Sequence, residues 1–280
     1  MNAVSASRAT PSSRNDCRPI LKWAGGKRQL LSEIRKFMPD TFRSYYEPFM
    51  GGAAVLFSLD YQRAVAGDLN EELINVYRMV KENVEALIES LARHHHDKEY
   101  YYEVRAQDPK QLTDLERAGR LIFLNKTCFN GLYRVNSKGQ FNVPFGSYKK
   151  PLICDPANLR AVHARLQDIK LIHGDYREVA AKARKGDFVY FDPPYVPLSN
   201  SSNFTKYAKD DFDEDDQKEL AEFYTELAGR GVYCMLSNSS VPLIRELYRD
   251  FKINVVRATR AINSVGSARG KIDEVLITSY

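Results

Sequence analysis

No apolar run in this chain approaches the ~18 residues that a membrane-spanning helix needs, and no spanning segment is expected. Cysteine is scarce. Cys17, Cys128, Cys154 and Cys234 are widely spaced, which excludes a paired-cysteine metal site and points to reduced thiols in a cytoplasmic protein. His94-His95-His96 has no cysteine or carboxylate spaced to complete a ligand set, so it reads as an exposed helical run and no metal is expected. Tryptophan occurs once, as Trp23, beside a glycine pair. Residues 1–17 lack a hydrophobic targeting core and an apolar stripe, and they read as a disordered tail.

Acidic residues are missing from two whole stretches. Between Arg117 and Cys154 the charged residues are Arg117, Arg120, Lys126, Arg134, Lys138, Lys149 and Lys150, interleaved with Phe123, Phe129, Tyr133, Phe141, Phe145 and Tyr148. The second stretch, Phe251 to Ile272, holds Lys252, Arg257, Arg260, Arg269 and Lys271. The net charge of +5 is modest for 280 residues. Its distribution nonetheless favours a nucleic-acid surface over a merely solvated face. With 44% hydrophobic and 28% charged residues, the composition is otherwise that of an ordinary globular protein.

What is present centres on Phe188-Val189-Tyr190-Phe191-Asp192-Pro193-Pro194-Tyr195. The apolar run reads as a buried strand, and it leads directly into a carboxylate, two prolines and an aromatic ring. Prolines fix φ and carry no N–H, so the corner offers hydrogen-bond acceptors beside a flat ring. At the carboxyl end of a strand, where open α/β sheets bind ligands, that is a socket for a planar molecule bearing an amino group.

Along the chain, Pro19 to Lys27 is extended and ends in a glycine turn, and helical spacing follows to Met38. Tyr45 to Phe57 reads as strand, glycine turn and helix. A strand from Arg63 to Gly67 ends at Asp68, which follows Gly51 at about the spacing, ~20 residues, of the acid that holds ribose hydroxyls in nucleotide-binding units. An N-cap on the helix after it is an equally good reading of Asp68. Glu72 to Leu124 is helical, with breaks near His94–Asp97 and Asp108-Pro109, and is too long for one crossover. Asn130-Gly131 and Ser137-Lys138-Gly139 then suggest a hairpin. Strands resume at 169–173, 188–191, 232–236, 253–258 and 274–278, with helices around Leu220–Leu227 and Pro242–Tyr248. The expected fold is α/β: a doubly wound sheet formed by residues 18–70 and 155–280, interrupted by an inserted, mostly helical domain, 71–154, that carries the hairpin.

Lys22-Trp23-Ala24-Gly25-Gly26-Lys27, Glu47-Pro48-Phe49 with its glycines, and Asp192-Pro193-Pro194-Tyr195 resemble the ordered motifs of Dam-type DNA N6-adenine methyltransferases. Asn125 to Arg134 and Gln140 to Gly146 are similar to the recognition hairpin of enzymes that methylate adenine in GATC. The likeness extends from Pro19 to Tyr280 and includes Asn203-Phe204-Thr205 and Leu236-Ser237-Asn238. One departure is plain: the family usually has Phe-x-Gly-x-Gly, and here Ala53 stands at the last glycine.

The resemblance implies a Rossmann-like fold, S-adenosylmethionine as methyl donor and double-stranded DNA as partner. It implies that Asp192 and the Pro193 carbonyl accept from the adenine amino group, within a motif completed by Pro194, while Tyr195 stacks on the base. It assigns Trp23, Lys27, Phe49, Gly51, Asp68 and Asp175 to the donor. Phe129 would refill the gap left by a flipped adenine, with Asn130 beside it. Arg134 would read a guanine edge, Leu132 and Pro144 a thymine methyl, and Lys22 the first guanine, with Tyr148 in support. Lys138, Lys149, Lys150, Arg269 and Lys271 fall to phosphates. Rival readings are a DNA-binding protein without catalysis, or methylation of another amino nitrogen, as in cytosine, RNA or a protein glutamine. The sequence leaves open the oligomeric state, a monomer being compatible with it. It also leaves open whether the role lies in restriction–modification, a phage or chromosome maintenance.

Overall fold

The computed structural model describes residues 7–8, 17–197, 212–259 and 271–280. Of the 1–17 segment, Ser7–Arg8 pairs antiparallel with Thr41–Phe42, and Cys17 is buried; the rest lies outside the described residues, as does Asn203-Phe204-Thr205. Seven strands form the main sheet: β1 (Tyr45–Glu47), β2 (Ala64–Asp68), β3 (Ile169–His173), β4 (Phe188–Phe191), β5 (Tyr233–Ser239), β6 (Lys252–Thr259) and β7 (Lys271–Thr278). Their spatial order is β3-β2-β1-β4-β5-β7-β6. The first five run parallel, and β7 is antiparallel to both of its neighbours.

Two-residue periodicity explains why both faces of the sheet are covered. Tyr45, Phe188, Tyr190, Met235 and Leu276 belong to one apolar cluster; Tyr46, Val189, Phe191, Cys234, Leu236, Val275 and Ile277 belong to the other. The first cluster holds α1 (Leu31–Phe37), α2 (Glu71–Glu82), α3 (Val84–Ala92), α4 (Lys98–Ala106), α5 (Asp114–Thr127) and α6 (Pro156–Leu166). The second holds α7 (Tyr176–Ala180), α8 (Glu214–Gly229) and α9 (Pro242–Leu247). Burial on both sides is what makes β4 a continuous apolar run rather than an alternating one. The result is a doubly wound, Rossmann-like α/β fold.

Three local readings change. The helix expected after the glycine turn is only a 3-10 turn at Leu56–Ser58. Residues 53–57 are buried all round, so no polar face exists to support an amphipathic helix. The long helical segment breaks additionally at Asn83, whose backbone leaves the helical region and ends α2. His94–His96 are not helical: their rings stack on Phe123, Tyr100 and Phe145 at 4.5, 4.1 and 4.7 Å. The hairpin is held by two isolated antiparallel bridges, Cys128 with Phe145 and Val135 with Phe141.

Strand order places the site. From β1 the chain proceeds outward one way through β2 and β3 and the other way through β4 and β5. The carboxyl ends of β1 and β4 therefore flank the crevice where the sheet's connections diverge, the position at which such folds bind ligands.

Candidate active site

At the end of β4, Asp192 receives two donors on one oxygen. The Lys27 ammonium lies 2.7 Å from Oδ1, and Ser237 Oγ on β5 donates to the same Oδ1 at 2.8 Å. Lys27 also donates to the Gly25 carbonyl at 2.6 Å and lies over the Tyr195 ring, 4.5 Å from its centroid. Burial raises the Asp192 carboxyl above the usual range, while Lys27 and Ser237 pull it back. Glu47, at the end of β1, is buried beside it and pushed up to about 8, chiefly by loss of solvent; the Tyr45 hydroxyl donates to it at 2.6 Å.

The peptide after Asp192 is pinned from beneath. Gln217 on α8 donates to the Pro194 carbonyl at 2.9 Å, and Asn238 donates to Gln217 while accepting the Val196 N–H. Tyr195 donates to Glu274 at 3.1 Å. Among the described residues nothing donates to the Pro193 carbonyl or to Asp192 Oδ2. The corner thus presents two open acceptors next to an anchored aromatic ring.

The glycine turn after β1 is adjacent. Gly51 has φ +45, and a Cβ there would come 2.9 Å from Trp23 Cδ1, so only glycine lets the indole lie on the turn. The Gly51 and Asn70 N–H groups donate to the two Asp68 oxygens at 3.0 Å each. The cap of α2 is Asn70, not Asp68. Asp68 instead ties the glycine turn to the end of β2, and its burial raises its carboxyl against those two donors. Gly174 N–H reaches the Asp68 carbonyl, which brings Asp175 alongside; its carboxylate caps α7 through the Arg177 N–H at 2.9 Å. Phe49 stacks on Tyr176 at 5.5 Å. Leu69, between the acid and the cap, is exposed.

On the other side of Trp23, Tyr133 stacks on the indole at 5.1 Å and joins the turn to the hairpin. Lys22 donates to the Tyr148 hydroxyl at 3.0 Å and lies over that ring. The buried Asn125 at the end of α5 accepts the Lys22 N–H and donates to the carbonyls of Lys22 and Gly131. Phe129 follows α5 and is 51% exposed. Asn130 takes a left-handed conformation, φ 55, and is exposed with it. Arg134 donates through Nε and Nη2 to the side chain and backbone of Asn142 at 2.6 and 3.3 Å, which holds its guanidinium outward. Pro144 is exposed and its carbonyl accepts the Phe129 N–H; Leu132 is half-buried.

Residues 23–262 match the family described as D12 class N6 adenine-specific DNA methyltransferase. The chain belongs to that family. It is 47% identical over 271 residues to a protein named Type II methyltransferase M1.LlaDCHI from Lactococcus lactis subsp. cremoris, with 94% of this chain and 95% of that one covered. Type II methyltransferase M.MjaIII from Methanocaldococcus jannaschii is 44% identical over 288 residues, covering 95% and 100%. The DNA adenine methylase of Escherichia coli K12 is 38% identical over 263 residues, covering 92% and 94%.

In this methyltransferase the residues singled out in sequence fall into three neighbouring groups. Trp23, Gly51 and Asp68 meet at the glycine turn, with Phe49 and Asp175 on its flank. Lys22, Tyr148, Phe129, Asn130, Leu132, Arg134 and Pro144 share the hairpin side. Lys27 contacts the acceptor corner. Of the lysines and arginine assigned to phosphates, Lys138, Lys149 and Lys150 are exposed, while Arg269 and the Lys271 side chain lie outside the described residues. Ser237, Glu47, Asn125, Asn142 and Tyr133 carried no role in the sequence, because their contacts come from strand order and hairpin closure. Among the described residues no cluster of metal-ligating side chains occurs, and no helix is long and apolar enough to cross a membrane.

Proposed function

We propose that this enzyme transfers a methyl group from S-adenosylmethionine to N6 of an adenine turned out of double-stranded DNA, in the sequence GATC. The observation that carries the reading is the acceptor corner, where Asp192 Oδ2 and the Pro193 carbonyl stand open beside the Tyr195 ring. An exocyclic amino group is a poor nucleophile because its lone pair is delocalised into the ring. Two acceptors that take its two N–H bonds favour a pyramidal nitrogen with the lone pair directed outward. Positioning and fixed acceptors then supply much of the rate.

The residues around the glycine turn fit the donor. Asp68 and Asp175 provide carboxylates at the ends of adjacent strands, exposed Leu69 provides an apolar surface for a purine, and Trp23 walls the turn. When bound, the donor supplies an electrophilic methyl on a sulfonium. A paired adenine cannot reach the corner, so it leaves the stack at a cost of about a few kcal/mol. Phe129, exposed at the tip beyond α5, is suited to fill the gap. Arg134, exposed and braced by Asn142, is suited to read a guanine edge in the major groove, a contact worth ~1–3 kcal/mol of discrimination.

The test uses isotope-labelled donor and duplex oligonucleotides with GATC or single-base-pair variants of it, followed by nucleoside analysis. Label in N6-methyladenine from GATC alone, lost in Asp192→Ala, is the expected result. Label in cytosine, or full activity in Asp192→Ala, overturns it.

A further inference from the structure

The Lys27 ammonium is directed at the acceptor corner. Its three directions are taken by the Gly25 carbonyl at 2.6 Å, Asp192 Oδ1 at 2.7 Å and the face of Tyr195 at 4.5 Å, and its side chain is only 8% exposed. A lysine meant to hold the donor's carboxylate would keep a free N–H aimed into the donor pocket. This one faces the acceptor corner.

The second donor to Oδ1 is equally committed. Ser237 spends its proton on Asp192, so the Tyr190 hydroxyl, 2.9 Å away, donates to Ser237. A relay from Tyr190 through Ser237 and the direct Lys27 contact converge on one carboxylate oxygen. Oδ2 is left without a donor among the described residues.

We infer that Lys27, with Ser237, is a positioning residue for Asp192: the pair clamps Oδ1, keeps the carboxylate ionised and turns Oδ2 toward the amino group of the target base. This rests on the adenine-methylating reading above and names the atom that accepts from substrate. It also moves Lys27 from the donor site, where the resemblance places it, to the acceptor site. Burial works against ionisation of Asp192, and the groups around it from neighbouring elements are Glu47 on β1, Tyr190 on β4 and Tyr195 after it, the last bonded in turn to Glu274 on β7. None of these is cationic. Among the described residues, Lys27 is the positive charge that opposes them.

The test compares wild type, Lys27→Met, Lys27→Arg and Ser237→Ala in single-turnover methyl transfer across pH. It also measures KM for S-adenosylmethionine and the titration of the Asp192 carboxyl by carbon-13 NMR. Without its counter-charge, Asp192 holds its proton to higher pH. The acid limb of the kcat profile and the NMR titration should both rise in Lys27→Met by about 1–3 pH units, so that kcat at a fixed pH below the limb falls roughly tenfold per unit. Donor KM should stay within about twofold, on the reasoning that uniform binding is untouched. Raising the pH should restore rate, Lys27→Arg should recover part of it, and Ser237→Ala should shift the limb less in the same direction. A raised donor KM with an unmoved limb assigns Lys27 to the donor and overturns the inference. So does a loss of rate at every pH with an unmoved titration, which marks a structural role only. If wild type methylates no adenine, the functional reading fails, and the NMR titration still decides the role of Lys27.

Discussion

Ala53 has φ 58, the left-handed region, and is fully buried at the position where the family usually carries glycine. An L side chain there is strained by ~1–2 kcal/mol. Ala53→Gly should therefore raise stability in urea by about 0.5–1 kcal/mol, the relief being partly offset by unfolded-state entropy. Glu47 gives a pH-dependent companion. Its folded value of about 8 lies above an ordinary ~4.3, so between these limits the folded chain keeps a proton that the unfolded chain releases. Its contribution is fully present below the lower value and is lost as pH rises through the upper one. The urea midpoint of Glu47→Gln should lack that decline between pH 5 and 9, and identical profiles would remove the assignment. For Arg134→Ala the expected outcome is relaxed discrimination at one base pair with donor affinity unchanged; uniform weakening on all duplexes would make it a phosphate contact. Asp192 was legible because its chemistry is contiguous in sequence. Its partners were not, because Lys27, Glu47 and Ser237 reach it only through the order of strands.

The segment after α5 ties the hairpin to the loop that carries Trp23. Among the described residues Asn125 alone satisfies the Lys22 N–H and the carbonyls of Lys22 and Gly131, so it fixes the loop bearing Phe129 against the irregular segment that precedes Trp23. Asn125→Ala leaves three backbone groups without that partner, at about 1–3 kcal/mol for each that water cannot reach. It should destabilise the chain by roughly 2–4 kcal/mol in thermal or urea unfolding and narrow the rate ratio between GATC and altered duplexes. Turn chemistry made the hairpin readable, since Asn-Gly and Lys-Gly pairs demand it, and short apolar runs closed by Gly174-Asp175 and by Asp192-Pro193-Pro194 made β3 and β4 readable to the residue. The buried segment 53–57 misled for the opposite reason: a continuous apolar run does not reveal its own period.

Across the molecule, the first acid-free basic stretch leaves Lys138, Lys149 and Lys150 exposed in and just after the hairpin. DNA affinity should fall with salt at a slope of about −0.9 per phosphate contacted, and Lys149→Ala with Lys150→Ala should lessen that slope by up to about 2 while leaving sequence discrimination intact. The doubly wound sheet supplies the rest: it places two acceptors, a glycine turn and the hairpin around one crevice. The most direct check of that arrangement is to treat unmethylated plasmid DNA with the protein and S-adenosylmethionine, then digest with a nuclease blocked by adenine methylation in GATC. The account predicts full protection by wild type and none by Asp192→Ala. Complete digestion after treatment with folded, donor-binding wild-type protein would contradict it.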